Sequence, residues 1–287
     1  MRSARWIGIL ILLVLLLVSC LPKDIPPPEK PLKVALVLGA GASKGFAHIG
    51  VLKVLQSNNI PLHMIVGTSA GSFVGSLYAY GYDAYQLQRM SMALEKSDII
   101  DFTIPDNGFI KGEKLESYVN TALRYTPMES LKIPFYAVAT DIQKGEEAVF
   151  GSGNTGTAVR ASCAIPGVFK PVRISNRTYV DGGVVSPVAV HAARQYGADV
   201  VIAVDISSGI EDTAPQSTID TLLQSIDVMY SKISSIQLQK ADVVIRPNVR
   251  YIGASDFTRR HEAVLEGEKA AMEALPRIQQ ILSKPRP

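Results

Sequence analysis

The chain has 287 residues, 47% of them hydrophobic and 19% charged, with a formal net charge of +3. That length and balance allow a sizeable buried core and exclude a disordered chain. So small a charge excludes recognition of nucleic acid through a basic surface.

The first element is not part of a fold. Arg2 and Arg5 form a positive n-region, and Ile7 to Val18 is apolar except for Gly8. Twelve residues are too few to cross a bilayer of about 30 Å as a helix, which points to a cleavable export signal. Leu17-Val18-Ser19-Cys20 resembles a bacterial lipobox, in which Cys20 would be lipidated and become the first residue of the mature protein. An ordinary signal or an uncleaved anchor is the alternative. Leu21, which is not Asp, resembles the class sorted to the outer membrane, facing the periplasm, in a Gram-negative host. Residues 20–32 then read as a tether with five prolines, suited to holding a domain off a membrane. Loss of residues 1–19 removes both arginines and leaves a charge of +1. With Cys20 lipidated, Cys163 stands alone, so neither an intramolecular disulfide nor a cysteine zinc site can form.

Residues 33–287 read as one domain in which short apolar runs alternate with helical stretches, the pattern of a mainly parallel sheet with helices on both faces. Strands are predicted at Val34–Leu38, His63–Val66, Phe135–Ala139, Thr178–Val180, Val200–Val204 and Val243–Ile245. Helices are predicted at Phe46–Gln56, from Gly71 to Tyr80, and at 113–124, 156–163, 188–196, 217–240 and 261–283. Between Tyr82 and Pro127 the periodicity weakens, with Met90, Ile99, Phe102 and Phe109 among polar residues. That stretch reads first as a helical insertion burying its own apolar residues, with cover for an active site as the alternative. Ile219, Leu222, Leu223, Ile226, Met229, Ile233 and Ile236 make one helical stripe, read as core packing rather than a membrane face.

Chemistry concentrates in three places. Gly67-Thr68-Ser69-Ala70-Gly71 lies between an apolar strand and a helix, the setting of a nucleophile elbow that lifts a serine hydroxyl to the sheet edge at a helix N-terminus. A serine needs a base, and the four histidines are poorly placed for it. His48 and His191 lie inside helices, His63 stands at the start of the elbow strand, and His261, which position alone does not dismiss, opens the last helix. Asp181 ends a short strand before Gly182-Gly183, which allow unusual torsions and close approach of another segment to the carboxylate. In Gly39-Ala40-Gly41-Ala42-Ser43-Lys44-Gly45, small residues leave amides open at a helix N-terminus, for a phosphate or an oxyanion. The P-loop pattern fails because Lys44 precedes the last glycine, and the dinucleotide pattern fails because Lys44 stands where its third glycine belongs.

These three elements, with Gly45-Phe46-Ala47-His48-Ile49-Gly50-Val51-Leu52, Ala161-Ser162-Cys163-Ala164-Ile165-Pro166-Gly167-Val168-Phe169 and Val180-Asp181-Gly182-Gly183, resemble the patatin-like phospholipase family from about Lys33 to Ala274. The resemblance implies a three-layer α/β/α sandwich and a Ser/Asp dyad without histidine. It makes Ser69 the nucleophile and Asp181 the base, and gives the oxyanion to the amides of Gly41, Ala42 and neighbouring Ser43. Lys44 matches the family's basic loop position and would order the loop. Ala40 and Ala42 replace common glycines, and alanine demands ordinary torsions, so the loop geometry is the point of departure from the family. Cys163 reads as a buried apolar filler. No metal or cofactor is implied.

The resulting expectation is a membrane-anchored acyl hydrolase acting on a fatty-acyl ester or phospholipid, with the membrane as partner through Cys20. An acyltransferase on the same dyad and a non-catalytic scaffolding lipoprotein are the alternatives.

Overall fold

The computed structural model describes residues 32–104, 106–207, 214–215 and 217–283. The signal segment 1–19, Cys20 and all of the tether before Leu32 lie outside the described residues.

A mixed eight-stranded sheet forms the middle layer. Its parallel core comprises β1 (Val34–Leu38), β2 (Met64–Thr68), β3 (Phe135–Asp141), β7 (Val200–Val204) and β8 (Val243–Ile245), in the order β3-β2-β1-β7-β8. Three antiparallel strands finish one side: β4 (Glu146–Phe150), β5 (Val172–Ile174) and β6 (Arg177–Asp181). β1 is buried at all five positions because both faces of the sheet are covered. Val34, Leu36 and Leu38 face one core and Ala35 and Val37 the other, the two-residue alternation of a strand.

The larger core packs α1 (Phe46–Ser57), α2 (Ala70–Tyr80), α3 (Ala84–Ala93), α5 (Glu113–Ala122), α6 (Thr155–Ser162) and α9 (Arg260–Leu282) on one face. The short α4 (Lys96–Ile99) lies between α3 and α5 in sequence. The other face is covered by α7 (Val190–Gln195) and its flanks. The three layers agree with the sequence reading. Among the described residues, no helix is long and apolar enough to cross a membrane.

The register of β3 creates the site. Thr68, the last residue of β2, lies opposite Val138, while Asp181, the last residue of β6, lies opposite Ala139. β2 runs parallel to β3 and β6 antiparallel to it, and β4 occupies the other side of β3 throughout 137–141. The C-terminal ends of β2 and β6 therefore meet head to head along one side of β3.

One sequence expectation changes and another becomes specific. The stripe on α8 (Thr218–Gln237) is rotated: Ile226 is buried, but Met229 and Ile236 are 53% and 68% exposed. The buried arc instead centres on Ile226, Tyr230 and Ser234; Ile226 and Tyr230 pack with Ala40 and Ile165, and Ser234 bonds Ser207. The weakly periodic segment contains α3, which the periodicity did not predict. Asp83 opens that helix with a capping box, accepting from the Gln86 amide while the Gln86 side chain accepts from the Asp83 amide.

Candidate active site

Ser69 links β2 to α2 with φ 54° and ψ −122°, a conformation costly for any residue but glycine. Small neighbours make it sterically feasible. A Cβ on Gly71 would lie 2.0 Å from the Leu38 carbonyl oxygen, and one on Gly67 would lie 2.5 Å from the Cα of Ser72. The strained backbone is pinned from outside: the Ser69 amide donates to Ser162 Oγ at 2.8 Å, and that hydroxyl donates to the Val138 carbonyl at 2.6 Å. Ser72 Oγ donates to the Ser69 carbonyl at 2.7 Å.

Ser69 Oγ donates to Asp181 Oδ2 at 2.5 Å, and both residues are buried. The other carboxylate oxygen, Oδ1, accepts from the Gly183 amide at 2.7 Å and from the Tyr230 hydroxyl at 3.0 Å. Burial pushes the Asp181 carboxyl up to about 6, against the pull of the hydrogen bonds from Ser69, Gly183 and Tyr230. The carboxylate is thus mostly ionised at neutral pH, yet basic enough to take a proton. Gly182 and Gly183 serve close approach alone, since neither has a positive φ. A Cβ would lie 2.2 Å from the Val138 carbonyl oxygen at Gly182, and 2.2 Å from Cζ of Tyr230 at Gly183.

The loop after β1 lies against the elbow, where a Cβ on Gly45 would sit 2.6 Å from that of Ala70. Gly39 and Ala40 spend their amides on the Val204 and Pro187 carbonyls. Ser43 corrects the expectation for the oxyanion site: its amide donates to the Ala254 carbonyl at 3.2 Å and its hydroxyl to the Gly253 carbonyl at 2.7 Å. The amides of Gly41 and Ala42 have no partner among the described residues. Ala42 does not keep ordinary torsions: its φ is 48°, so this alanine takes the conformation that glycine would hold more cheaply. Lys44 is buried, and its Nζ donates to Asp227 Oδ2 of α8 at 2.8 Å, tying the loop to that helix.

None of the four histidines hydrogen-bonds Ser69 or lines its cavity. His48 is wholly buried with Nε2 2.9 Å from the Gly39 carbonyl, and burial holds its pKa at about 4, so the ring is neutral. His63 Nδ1 accepts from the Val34 amide at the far end of β1. Cys163 is buried in the larger core, as expected of a filler, and its thiol also stands 3.8 Å from Ser72 Oγ and lines the same cavity as Ser69. Burial first, and then the Asp181 charge, push that thiol far above its ordinary pKa, which disfavours the nucleophilic thiolate.

Ser69 opens into a cavity of about 390 Å³ whose wall is almost wholly apolar. Ala42, Ile165, Phe169 and Leu223 line it near the loop, the 161–169 block and α8. The 82–127 segment supplies Leu87, Met90, Leu94, Ile99, Phe102 and Leu115. The segment therefore does both things weighed for it, since Leu87, Leu94 and Leu115 are also part of the core. Three polar contributors escaped the sequence reading: Ser162, Asp227 and Tyr230. Tyr230 carried a signal, as a hydroxyl placed four residues after Ile226 and three before Ile233, inside an apolar stripe. Among the described residues, no group of three or more His, Cys, Asp or Glu side chains could hold a metal ion.

A family model described as patatin-like phospholipase matches residues 36–194, which include Ser69 and Asp181. The chain belongs to the patatin-like phospholipase family. Lysophospholipase NTE1 of Pyricularia oryzae is 29% identical over 278 residues, and the protein of that name from Coccidioides immitis is 31% identical. Both alignments cover 85% of this chain, which spans only 18% of the length of those two proteins. An uncharacterised NTE family protein of Mycobacterium tuberculosis is 33% identical, over 66% of this chain and 54% of its own. Among solved structures, VipD from Legionella pneumophila superposes with a TM-score of 0.60 at 14% identity, covering 86% of this chain and 67% of that one. The type III effector ExoU gives 0.52 at 13% identity, covering 89% and 54%. At those identities the two structures show that this patatin-like chain shares their fold, and nothing further.

Proposed function

We propose that this patatin-like protein is a lipid acyl hydrolase with a Ser69/Asp181 dyad, and that lysophospholipids or other fatty-acyl esters are its substrates. The observation that carries the reading is the 2.5 Å hydrogen bond from Ser69 Oγ to a buried carboxylate, at the mouth of an apolar cavity. The acyl chain occupies the cavity, where burial of each methylene contributes about 0.8 kcal/mol. Asp181 Oδ2 takes the hydroxyl proton as Ser69 Oγ attacks the ester carbonyl, and the amides of Gly41 and Ala42 receive the oxyanion. Collapse of the tetrahedral intermediate expels the alcohol, which leaves with the proton held on Asp181. Water, deprotonated by the same carboxylate, then cleaves the acyl-Ser69 ester and releases the fatty acid.

The lipobox-like sequence supports a further part of the proposal, in which lipidated Cys20 and the proline-rich tether hold the domain at the membrane that supplies its substrate. The names of the two fungal relatives favour a lysophospholipid over other esters. The test is fatty-acid release from lysophosphatidylcholine, followed by mass spectrometry, for protein lacking residues 1–20. Release by the wild type with none by Ser69→Ala supports the reading; equal release by both sinks it.

A further inference from the structure

Asp181 presents two oxygens with unequal surroundings. Oδ2 faces Ser69 Oγ alone, whereas Oδ1 is held by two donors, the Gly183 amide and the Tyr230 hydroxyl. Tyr230 is 4% exposed, and its hydroxyl has no other partner among the described residues. Its approach requires a glycine opposite, because a Cβ on Gly183 would meet the phenol ring. The helix that carries it is fastened on both sides of this contact. One turn earlier, Asp227 holds Lys44 of the oxyanion loop; further along, Ser234 bonds Ser207, and Gln237 bonds the Val185 carbonyl and Ser186.

We infer that Tyr230 is the positioning residue of the dyad: by donating to Oδ1 it fixes the carboxylate rotamer so that Oδ2 faces Ser69, and it keeps that buried carboxylate in its basic form. The inference rests on the proposed hydrolase reading for its functional meaning. A lone carboxylate at a serine has no further group to orient it, whereas a histidine base is oriented by its own partner. Here the phenol fills that place from the far side. A donor to a buried anion stabilises the charged state, so its removal raises the carboxyl further. The groups facing Asp181 are Ser69, the Gly183 amide, Tyr230 and the Cys163 thiol, and Asp227 with its Lys44 partner faces Tyr230. Of these, Tyr230 alone can lose its donor with no change in packing, as Tyr230→Phe.

The experiment follows the Asp181 carboxyl by carbon-13 NMR titration alongside the pH profile of p-nitrophenyl butyrate hydrolysis, in the wild type and in Tyr230→Phe. Ser234→Ala, which loosens the same helix without touching Asp181, is the control. In Tyr230→Phe the midpoint and the acid limb of kcat/KM both move up by about one pH unit, and the plateau falls up to about tenfold with KM changed less than twofold. Ser234→Ala leaves the midpoint in place. 3-Fluorotyrosine at position 230, a more acidic phenol, moves it down and keeps the test available if Tyr230→Phe folds poorly. Unmoved midpoints in both substituted proteins overturn the inference. A midpoint that moves in a protein without esterase activity sinks the hydrolase reading and leaves the Tyr230–Asp181 coupling intact.

Discussion

At the junction of β2 and β6 the closest approaches at Gly71 and Gly182 are to backbone. Cβ atoms on Gly71 and Gly182 would lie 2.0 and 2.2 Å from the carbonyl oxygens of Leu38 and Val138. Across the cavity, the stretch from α3 to α5 meets the same space by side chains, from Leu87, Met90 and Leu94 to Phe102 and Leu115. Phe102 is 79% exposed although it lines the cavity. Where backbone meets backbone, position is set by covalent geometry and no side-chain rotation relieves a clash. Where flexible side chains meet, shape is adjustable and substitution is graded. In the proposed hydrolase the junction would hold Ser69 and Asp181 to the accuracy that proton transfer requires, while the cover would set which acyl chains fit.

That contrast breaks most visibly at Gly71. Gly71→Ala is expected to lose folded protein, or more than about 4 kcal/mol of stability by urea unfolding, because its Cβ would press on the carbonyl and the Cβ of Leu38. Wild-type stability in that variant would show the junction to be as adjustable as the cover.

Asp181→Asn sharpens the comparison through pH. The carboxyl is raised from an ordinary 3.8 to about 6 in the folded chain. Between those values the folded state binds a proton that the unfolded state has released, so stability falls as pH rises through that window. Above it, the ionised Asp181 costs on the order of 3 kcal/mol. Asp181→Asn should melt higher than the wild type at pH 7, should match it near pH 3, and should be inactive at both. In the wild type, kcat/KM should fall as pH drops through about 6, the range in which the base becomes protonated. A variant less stable at pH 7 would contradict the burial cost assigned to the ionised carboxylate.

On the cover, effects should be small and chain-dependent. Phe102→Ser is expected to leave unfolding within about 0.5 kcal/mol of the wild type. It should raise KM for a long-chain lysophospholipid roughly three- to tenfold, with little change for p-nitrophenyl butyrate. Equal effects on both substrates would remove Phe102 from the acyl path.

The same contrast decides what could be read from the chain. Ser69 was legible because an elbow is local: two glycines four residues apart, between an apolar strand and a helix, leave few other structures. Asp181 lies 112 residues away, and its pairing with Ser69 depends on the register of β3, which no local pattern encodes. Its signal in the sequence is the pair of strand-end glycines together with the family resemblance. Which loop amides are left for an oxyanion depends on Ala254, whose carbonyl takes the Ser43 amide from more than 200 residues away in sequence. β4 is not marked because Glu146 and Glu147 leave this edge strand only the short apolar run Ala148-Val149-Phe150. α3 had a readable capping box, but its buried residues are too few for periodicity to mark it. Tyr230 was hidden by the stripe around it, which reads as packing whether or not one member carries a hydroxyl.

The most direct test of the central claim is reaction of the wild type with a fluorophosphonate at pH 7.5, followed by intact mass and peptide mapping. One adduct per chain, on Ser69, and none in Ser69→Ala is the predicted result. An adduct on another residue, or equal labelling of the two proteins, would contradict it.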